Sequence, residues 1–218
     1  MRGEAKKVMA INGSPRKHWN TDSLLGNVLK GAESKGADTR MVYLYDLKFS
    51  GCKSCMACKL KGGKSLGRCA LKDDLTSVLD EVHAADAVVL GSPIYWHEVT
   101  GTMRCFIERF LFQYLNYDDY DKPLSPAKKI ALVYTMNMPE KMLEQFGYVE
   151  KFGEYQKLFG HFFKHCEVLY AAETLQVKDY GKYHLACIDG NERRHRHETV
   201  FPKECKKAFE LGATLASA

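Results

Sequence analysis

The chain has 218 residues, 45% of them hydrophobic and 27% charged, with a formal net charge of +5. That length suits one α/β domain with a full core, and no run of about 18 uninterrupted apolar residues offers a membrane span. The mild, spread charge does not by itself call for nucleic acid, and eight cysteines behind an N-terminus without an apolar leader argue for thiols in the cytoplasm rather than a disulfide framework.

The first predicted element is a strand from Val8 to Asn12, broken at Gly13-Ser14-Pro15. Leu24, Leu25, Val28, Leu29 and Ala32 then recur at helical spacing from Thr21 onward. Strand, polar loop and helix in that order aim backbone N–H groups and the positive end of a helix dipole into one crevice. Ser14, Arg16, Asn20, Thr21 and Ser23 add donors there, and a phosphate monoester presents only acceptors. An ordinary capped turn is the plainer reading. The loop lacks both the Gly-x-Gly-x-x-Gly of dinucleotide sites and the Gly-Lys-Ser/Thr of P-loops yet is dense in donors, which favours a mononucleotide phosphate.

A second strand is expected from Thr39 to Tyr45. Cys52-Lys53-Ser54-Cys55-Met56-Ala57-Cys58 follows, then polar Lys59 to Arg68, then Cys69. Asp73 and Asp74 suit the first turn of a helix carrying Leu75, Val78, Leu79 and Val82. Asp86 to Pro93 reads as a buried strand ending in a second Gly-Ser-Pro, with Ile94, Tyr95, Trp96 and His97 in the loop after it. Thr100 can cap a helix bearing Met103, Phe106, Ile107, Phe110 and Leu111. After a surface excursion from Asn116 to Lys122, a fourth strand is expected from Lys129 to Thr135. A long helix striped by Phe152, Tyr155, Phe159, Phe162 and Phe163 leads to a fifth, from Cys166 to Ala172. Residues 174–198 read as an irregular insertion, and Thr199, with Pro202 in the first turn, opens a last helix using Cys205, Phe209 and Leu215. Strands alternating with helices imply right-handed crossovers and a parallel sheet, in one domain spanning 1–218.

Three matches in the expected order carry a resemblance: Asn12-Gly13-Ser14-Pro15-Arg16 with Asn20-Thr21; Cys52-x-x-Cys55-x-x-Cys58 and Cys69 followed by Asp73-Asp74; and Gly91-Ser92-Pro93-Ile94-Tyr95-Trp96 with Thr100-Gly101. The chain resembles the flavodoxin-like NAD(P)H-dependent FMN reductases and, among them, the iron–sulfur flavoproteins. The resemblance implies a three-layer fold with a five-stranded parallel sheet in the order 2-1-3-4-5 and helices on both faces. It also implies FMN, with its phosphate on Ser14, Arg16, Asn20 and Thr21 and its isoalloxazine against Pro93, Ile94, Tyr95 and Trp96. By family position the resemblance also implies that Thr135, Met136 and Asn137 would form a third wall. NAD(P)H would supply hydride to the flavin, and no side chain need act as general acid or base, so no catalytic residue is assigned; Tyr95, Trp96 and His97 are expected near the reactive face. A homodimer or homotetramer is expected from the resemblance.

Cys52, Cys55, Cys58 and Cys69 are the expected metal ligands, since three thiolates spaced by two residues suit one centre and a fourth can come from further along. The family's iron–sulfur members space the last cysteine closer, whereas here ten residues, Lys59 to Arg68, intervene, with Gly62, Gly63 and Gly67 among them to let the loop fold back. A [4Fe–4S] cluster, a tetrahedral zinc and free thiols all stay open. Cys105, Cys166, Cys187 and Cys205 read as core or isolated thiols, and His195 and His197 near Cys187 as charged surface. With a cluster, the protein becomes an electron carrier for a ferredoxin-like partner. A non-catalytic flavin-binding regulator touching nucleic acid through the basic 193–207 segment is the remaining alternative.

Overall fold

Alternation along the central strands decides the architecture. In the computed structural model, which describes residues 5–217, Val8 and Ala10 of β1 (Lys7–Asn12), Ala87 and Val89 of β3 (Ala87–Tyr95) and Ala131 and Val133 of β5 (Lys129–Thr135) are buried against α1 (Asn20–Glu33) and α6 (Phe201–Ala216). The intervening residues Met9, Ile11, Val88, Leu90, Ile130 and Leu132 are buried against α2 (Leu75–Ala84), α3 (Gly101–Phe112) and α4 (Tyr148–Phe163). A sheet apolar on both faces must be covered on both, and the result is the expected three layers.

The parallel strands run β2-β1-β3-β5-β6, with β2 at Asp38–Tyr43 and β6 at Cys166–Ala171. Counted alone, these five give the predicted order. A sixth strand, β4 (Glu98–Val99), pairs antiparallel with the end of β3, Tyr95 opposite Glu98 and Ile94 opposite Val99. Strand β3 therefore runs two residues past the predicted end at Pro93 and turns as a hairpin. Two residues of strand leave no periodic signal in sequence.

The α1/α6 face carries small strand residues, and its two helices meet backbone to backbone. A Cβ on Gly31 would stand 1.9 Å from the Phe209 carbonyl oxygen, and one on Gly212 would stand 1.8 Å from that of Val28.

Residues 174–198 are not irregular throughout. Tyr180–Lys182 forms a 3-10 turn and α5 spans Gly190–Thr199, so Thr199 closes one helix instead of opening the next, and α6 starts at Phe201-Pro202. Helix α5 (Gly-Asn-Glu-Arg-Arg-His-Arg-His-Glu-Thr) has no apolar stripe to betray it. Asp189 caps the N–H groups of Asn191 and Glu192 (2.8 and 3.1 Å), while Arg193 reaches Glu173 and Arg196 reaches Glu204, each at 2.8 Å. Two arginines of the basic segment are thus paired inward. Phe209, expected in the core, is 37% exposed, because Gly212 and Ala208 make the close face of α6. Among the described residues no helix is long and apolar enough to cross a membrane.

Candidate functional site

The order β2-β1-β3 reverses direction at β1, and the crevice at the carboxyl ends of β1 and β3 is where such sheets bind ligands. A cavity of about 110 Å³ lies there, lined by Ser14, Arg16 and Trp19 from the loop after β1, Asn20 and Thr21 from the first turn of α1, Pro93, Ile94 and Tyr95 from β3, Thr135, Met136 and Asn137 from the end of β5, and Thr174 and Gln176 beyond β6. Most of the expected cofactor residues are thus brought together. Ser23 lies in the first turn of α1 and Trp96 at the hairpin tip; neither lines the cavity, and His97 instead stacks on Tyr148, ring centroids 5.2 Å apart.

The loop after β1 is shaped by its own side chains. The buried Asn12 accepts from the Ser14 N–H (2.8 Å) and donates to Asp22 Oδ1 (2.9 Å), and Asp22 Oδ2 accepts the His18 N–H (2.8 Å). Ser14 Oγ then accepts the Arg16 N–H at 3.1 Å. Gly13 allows α3 to approach, since a Cβ there would stand 2.8 Å from that of Met103. Thr100 caps α3 through the Met103 N–H (3.2 Å) as expected, and its hydroxyl donates to the Gly13 carbonyl (2.7 Å). The Thr21 and Thr135 hydroxyls meet at 2.7 Å, joining two walls. The far wall is tied across by Arg16 Nη1 to the Gln176 carbonyl (2.7 Å), and by Asn20 Nδ2 and Trp19 Nε1 to that of Leu175 (2.8 and 3.0 Å). Burial pushes the Tyr43 phenol beside Asp22 up to about 12.

The hairpin wall is strained. Its two turn residues, Trp96 (φ 51°) and His97 (φ 65°), both adopt the left-handed conformation that asparagine and glycine fill at lower cost, and Trp96 is 95% exposed. Lys151 and Tyr155 of α4 hold Glu98 at 2.8 and 3.0 Å. Burial raises the Tyr95 phenol pKa, against a lowering pull from Arg16.

A planar heteroaromatic bearing a phosphate fits this donor set. Hydroxyls, an amide and the amino end of α1 meet one side of the cavity, and Pro93, Ile94 and Tyr95 give the other a flat, largely apolar face. The buried Oδ1 of Asn137, on the third wall, has no partner among the described residues and suits a ligand N–H.

The four cysteines line a second small cavity together with Lys53, Met56, Ala70, Leu71, Arg109, Phe112 and Gln113. The long Lys59–Arg68 loop does fold back, the Gly67 N–H meeting the Cys58 carbonyl at 3.0 Å. Among the described residues no three Cys, His, Asp or Glu side chains stand close enough to hold a metal ion. The chemistry around the thiols nevertheless suits an anionic sulfur centre. The Ser54 N–H points to Cys52 Sγ at 3.4 Å, with Ser54 and Met56 both left-handed, and Lys59 and Arg109 bring two cations. Burial raises the Cys58 thiol pKa and Lys59 opposes it.

Arg109 was invisible in sequence, where one arginine in an amphipathic helix reads as solvated. Its signal is the pair Arg109 and Gln113, one turn apart beside the buried Phe106 and Phe110, which puts both polar groups on a buried face of α3.

Residues 6–143 match the family described as NADPH-dependent FMN reductase. Over 103 residues the chain is 40% identical to an iron-sulfur flavoprotein of Archaeoglobus fulgidus, a match covering 47% of this chain and 48% of that protein, so the chain spans about half the length of the curated relatives it matches. The fold resembles an NAD(P)H:quinone oxidoreductase from Methanothermobacter marburgensis, with TM-score 0.70 and 14% identity over 97% of this chain and 100% of that one. It also resembles an FMN-dependent NADH-azoreductase from Bacillus anthracis in complex with FMN, with TM-score 0.65 and 12% identity over 97% and 100% of the two chains.

Proposed function

Because the chain belongs to the NADPH-dependent FMN reductase family, we propose that it is an FMN-dependent oxidoreductase of the cytoplasm, acting as a homodimer or homotetramer. It would take hydride from NAD(P)H and deliver electrons to a small-molecule or protein acceptor. The observation that carries this reading is the switch-point cavity, which gathers Ser14, Arg16, Asn20 and Thr21 opposite Pro93, Ile94 and Tyr95. FMN, when bound, supplies the hydride and electron chemistry. Ser14, Asn20, Thr21 and Arg16 would hold its phosphate, and the Thr21–Thr135 bond fixes the spacing of the walls that receive it. Asn137 would orient the ring edge, Ile94 and Tyr95 would exclude water from one face, and Trp96, projecting from the hairpin, would meet what approaches the other. Ser23 would act through the α1 amino end.

One observation favours a second reading, an iron–sulfur flavoprotein passing electrons to a ferredoxin-like carrier: Cys52, Cys55, Cys58 and Cys69 share one cavity with Lys53 and Arg109, and the Lys59 charge acts on Cys58. Anaerobic purification followed by an absorption spectrum, iron, sulfide and zinc analysis, and NADH and NADPH oxidation assays tests both. Flavin bands with nicotinamide turnover and no metal support the reductase, and flavin with about four irons per chain supports the carrier. No flavin after incubation with FMN overturns both.

A further inference from the structure

We propose that Arg109 is the positioning residue of the four-cysteine site, fixing both shoulders of the cysteine loop through its Nη atoms and holding its Nε–H for sulfur at the site. The proposal rests on the reading of that site as a cluster site.

Arg109 is 1% exposed, on the helix whose Glu108 and the following Gln113 accept the N–H groups of Cys52 and Cys69 at the two ends of the cysteine loop. Its Nη1 donates to the Ser50 carbonyl, just before Cys52 (3.3 Å), and to Asp73 Oδ2 (2.5 Å). Its Nη2 donates to the Leu71 carbonyl, just after Cys69 (3.4 Å). One planar fork therefore grips the chain at its entry to the loop and its exit, which lysine, a single point donor, cannot reproduce. Helix α3 supplies the rest of the mount. Gln113 Oε1 accepts the Cys69 N–H at 3.0 Å, Glu108 accepts that of Cys52 at 3.3 Å, and Lys59 reaches back to the Gln113 carbonyl at 3.0 Å.

Every other polar hydrogen-bonding atom of Arg109 is thus engaged, and Nε is left buried with no acceptor in hydrogen-bond geometry among the described residues. A buried guanidinium seldom keeps an unmade N–H bond in a finished site. Arg109 itself lines the cavity of the four thiols. A sulfur-ligated cluster carries net negative charge, and each N–H donated to its sulfurs stabilises the more negative reduced form, raising the potential.

The test begins with the full-length wild-type chain loaded anaerobically with iron, sulfide and FMN. Cluster content is then followed by absorption, and potential by redox titration of the cluster signal. We expect Arg109→Lys, with unchanged circular dichroism and FMN affinity, to hold at most half the wild-type iron and to titrate at a more negative potential. Asp73→Asn keeps Nε in place while loosening one shoulder, so it should lose iron without the fall in potential expected of Arg109→Lys. Should Arg109→Lys not fold, wild-type protein labelled with 15N-arginine and reduced should show hyperfine coupling from an arginine nitrogen to the paramagnetic cluster. A wild-type potential in Arg109→Lys, or no arginine coupling in the labelled protein, overturns the role of Arg109 and leaves the cluster reading standing. Wild-type chain that takes up no iron and sulfide is a different failure, visible before any variant is made, and overturns the cluster reading with the proposal.

Discussion

Two loops leave adjacent strands at the same end of the sheet and are built on opposite plans. The loop after β1 is tied by its own residues, Asn12 to Ser14 and Asp22 and Asp22 to His18, all within ten positions. The cysteine loop after β2 takes its shape from afar, from Arg109, Gln113 and Glu108 of α3. A locally tied loop can be read from sequence and changed alone, whereas a remotely mounted one is hidden in sequence and fails with its mount.

Asp73→Ala should produce the largest effect. It strips the buried Arg109, whose side chain is fully enclosed, of its carboxylate and should cost about 3 kcal/mol in urea unfolding. The four thiols should alkylate faster while FMN affinity stays at wild type; a matching loss of FMN would show that the two loops are coupled.

Asp22→Ala is the reciprocal experiment. It leaves the Asn12 amide and the His18 N–H unpaired, for about 2 kcal/mol and about a tenfold loss of FMN affinity by fluorescence titration, with unchanged thiol reactivity. Thr135→Val removes only the bond to Thr21 between the walls and should cost about 1 kcal/mol, with a smaller loss of FMN affinity.

Further from both loops, Glu173 beyond β6 tests remote mounting by acid. Burial would raise its pKa, but the bond from Arg193, with Arg196 nearby, prevails and lowers it. A carboxylate with a depressed folded pKa contributes in full above its unfolded value of about 4.3 and loses that contribution as pH falls through the folded pKa. Glu173→Gln should therefore cost about 1 kcal/mol near neutrality and nothing in strong acid, seen as a flatter acid limb in thermal melts.

The smallest effect has the opposite sign. Replacing Trp96 by Asn and His97 by Gly relieves two left-handed residues and should stabilise the protein by about 0.5 kcal/mol, while removing the aromatic tip beside the crevice. Unchanged turnover with NADPH would show that the hairpin tip plays no part in catalysis.

These contrasts explain what could be read in advance. Strands β1, β3 and β5 announce themselves because both faces are buried, and α1 to α4 because their apolar residues recur at helical spacing. Helix α5 does not, being held by Asp189 and by arginine pairs to Glu173 and Glu204, which lie outside its own sequence. Ser14, Asn20 and Thr21 were legible because they fall within eight positions of one another, on one strand–loop–helix unit whose donors must face one crevice, and Asn137 only through resemblance. Arg109 was not legible, since its partners lie 36 to 59 positions away along the chain.

The chain's two tryptophans, Trp19 and Trp96, sit on opposite lips of the crevice, the first half-buried under Arg16 and the second in open water. Nature has in effect wired the site with its own pair of optical probes. Emission from Trp19 should be blue-shifted relative to that of Trp96, and each should be quenched as the crevice fills. Trp96→Phe then leaves a single reporter on the phosphate side, so occupancy of the two lips can be followed separately in unlabelled protein.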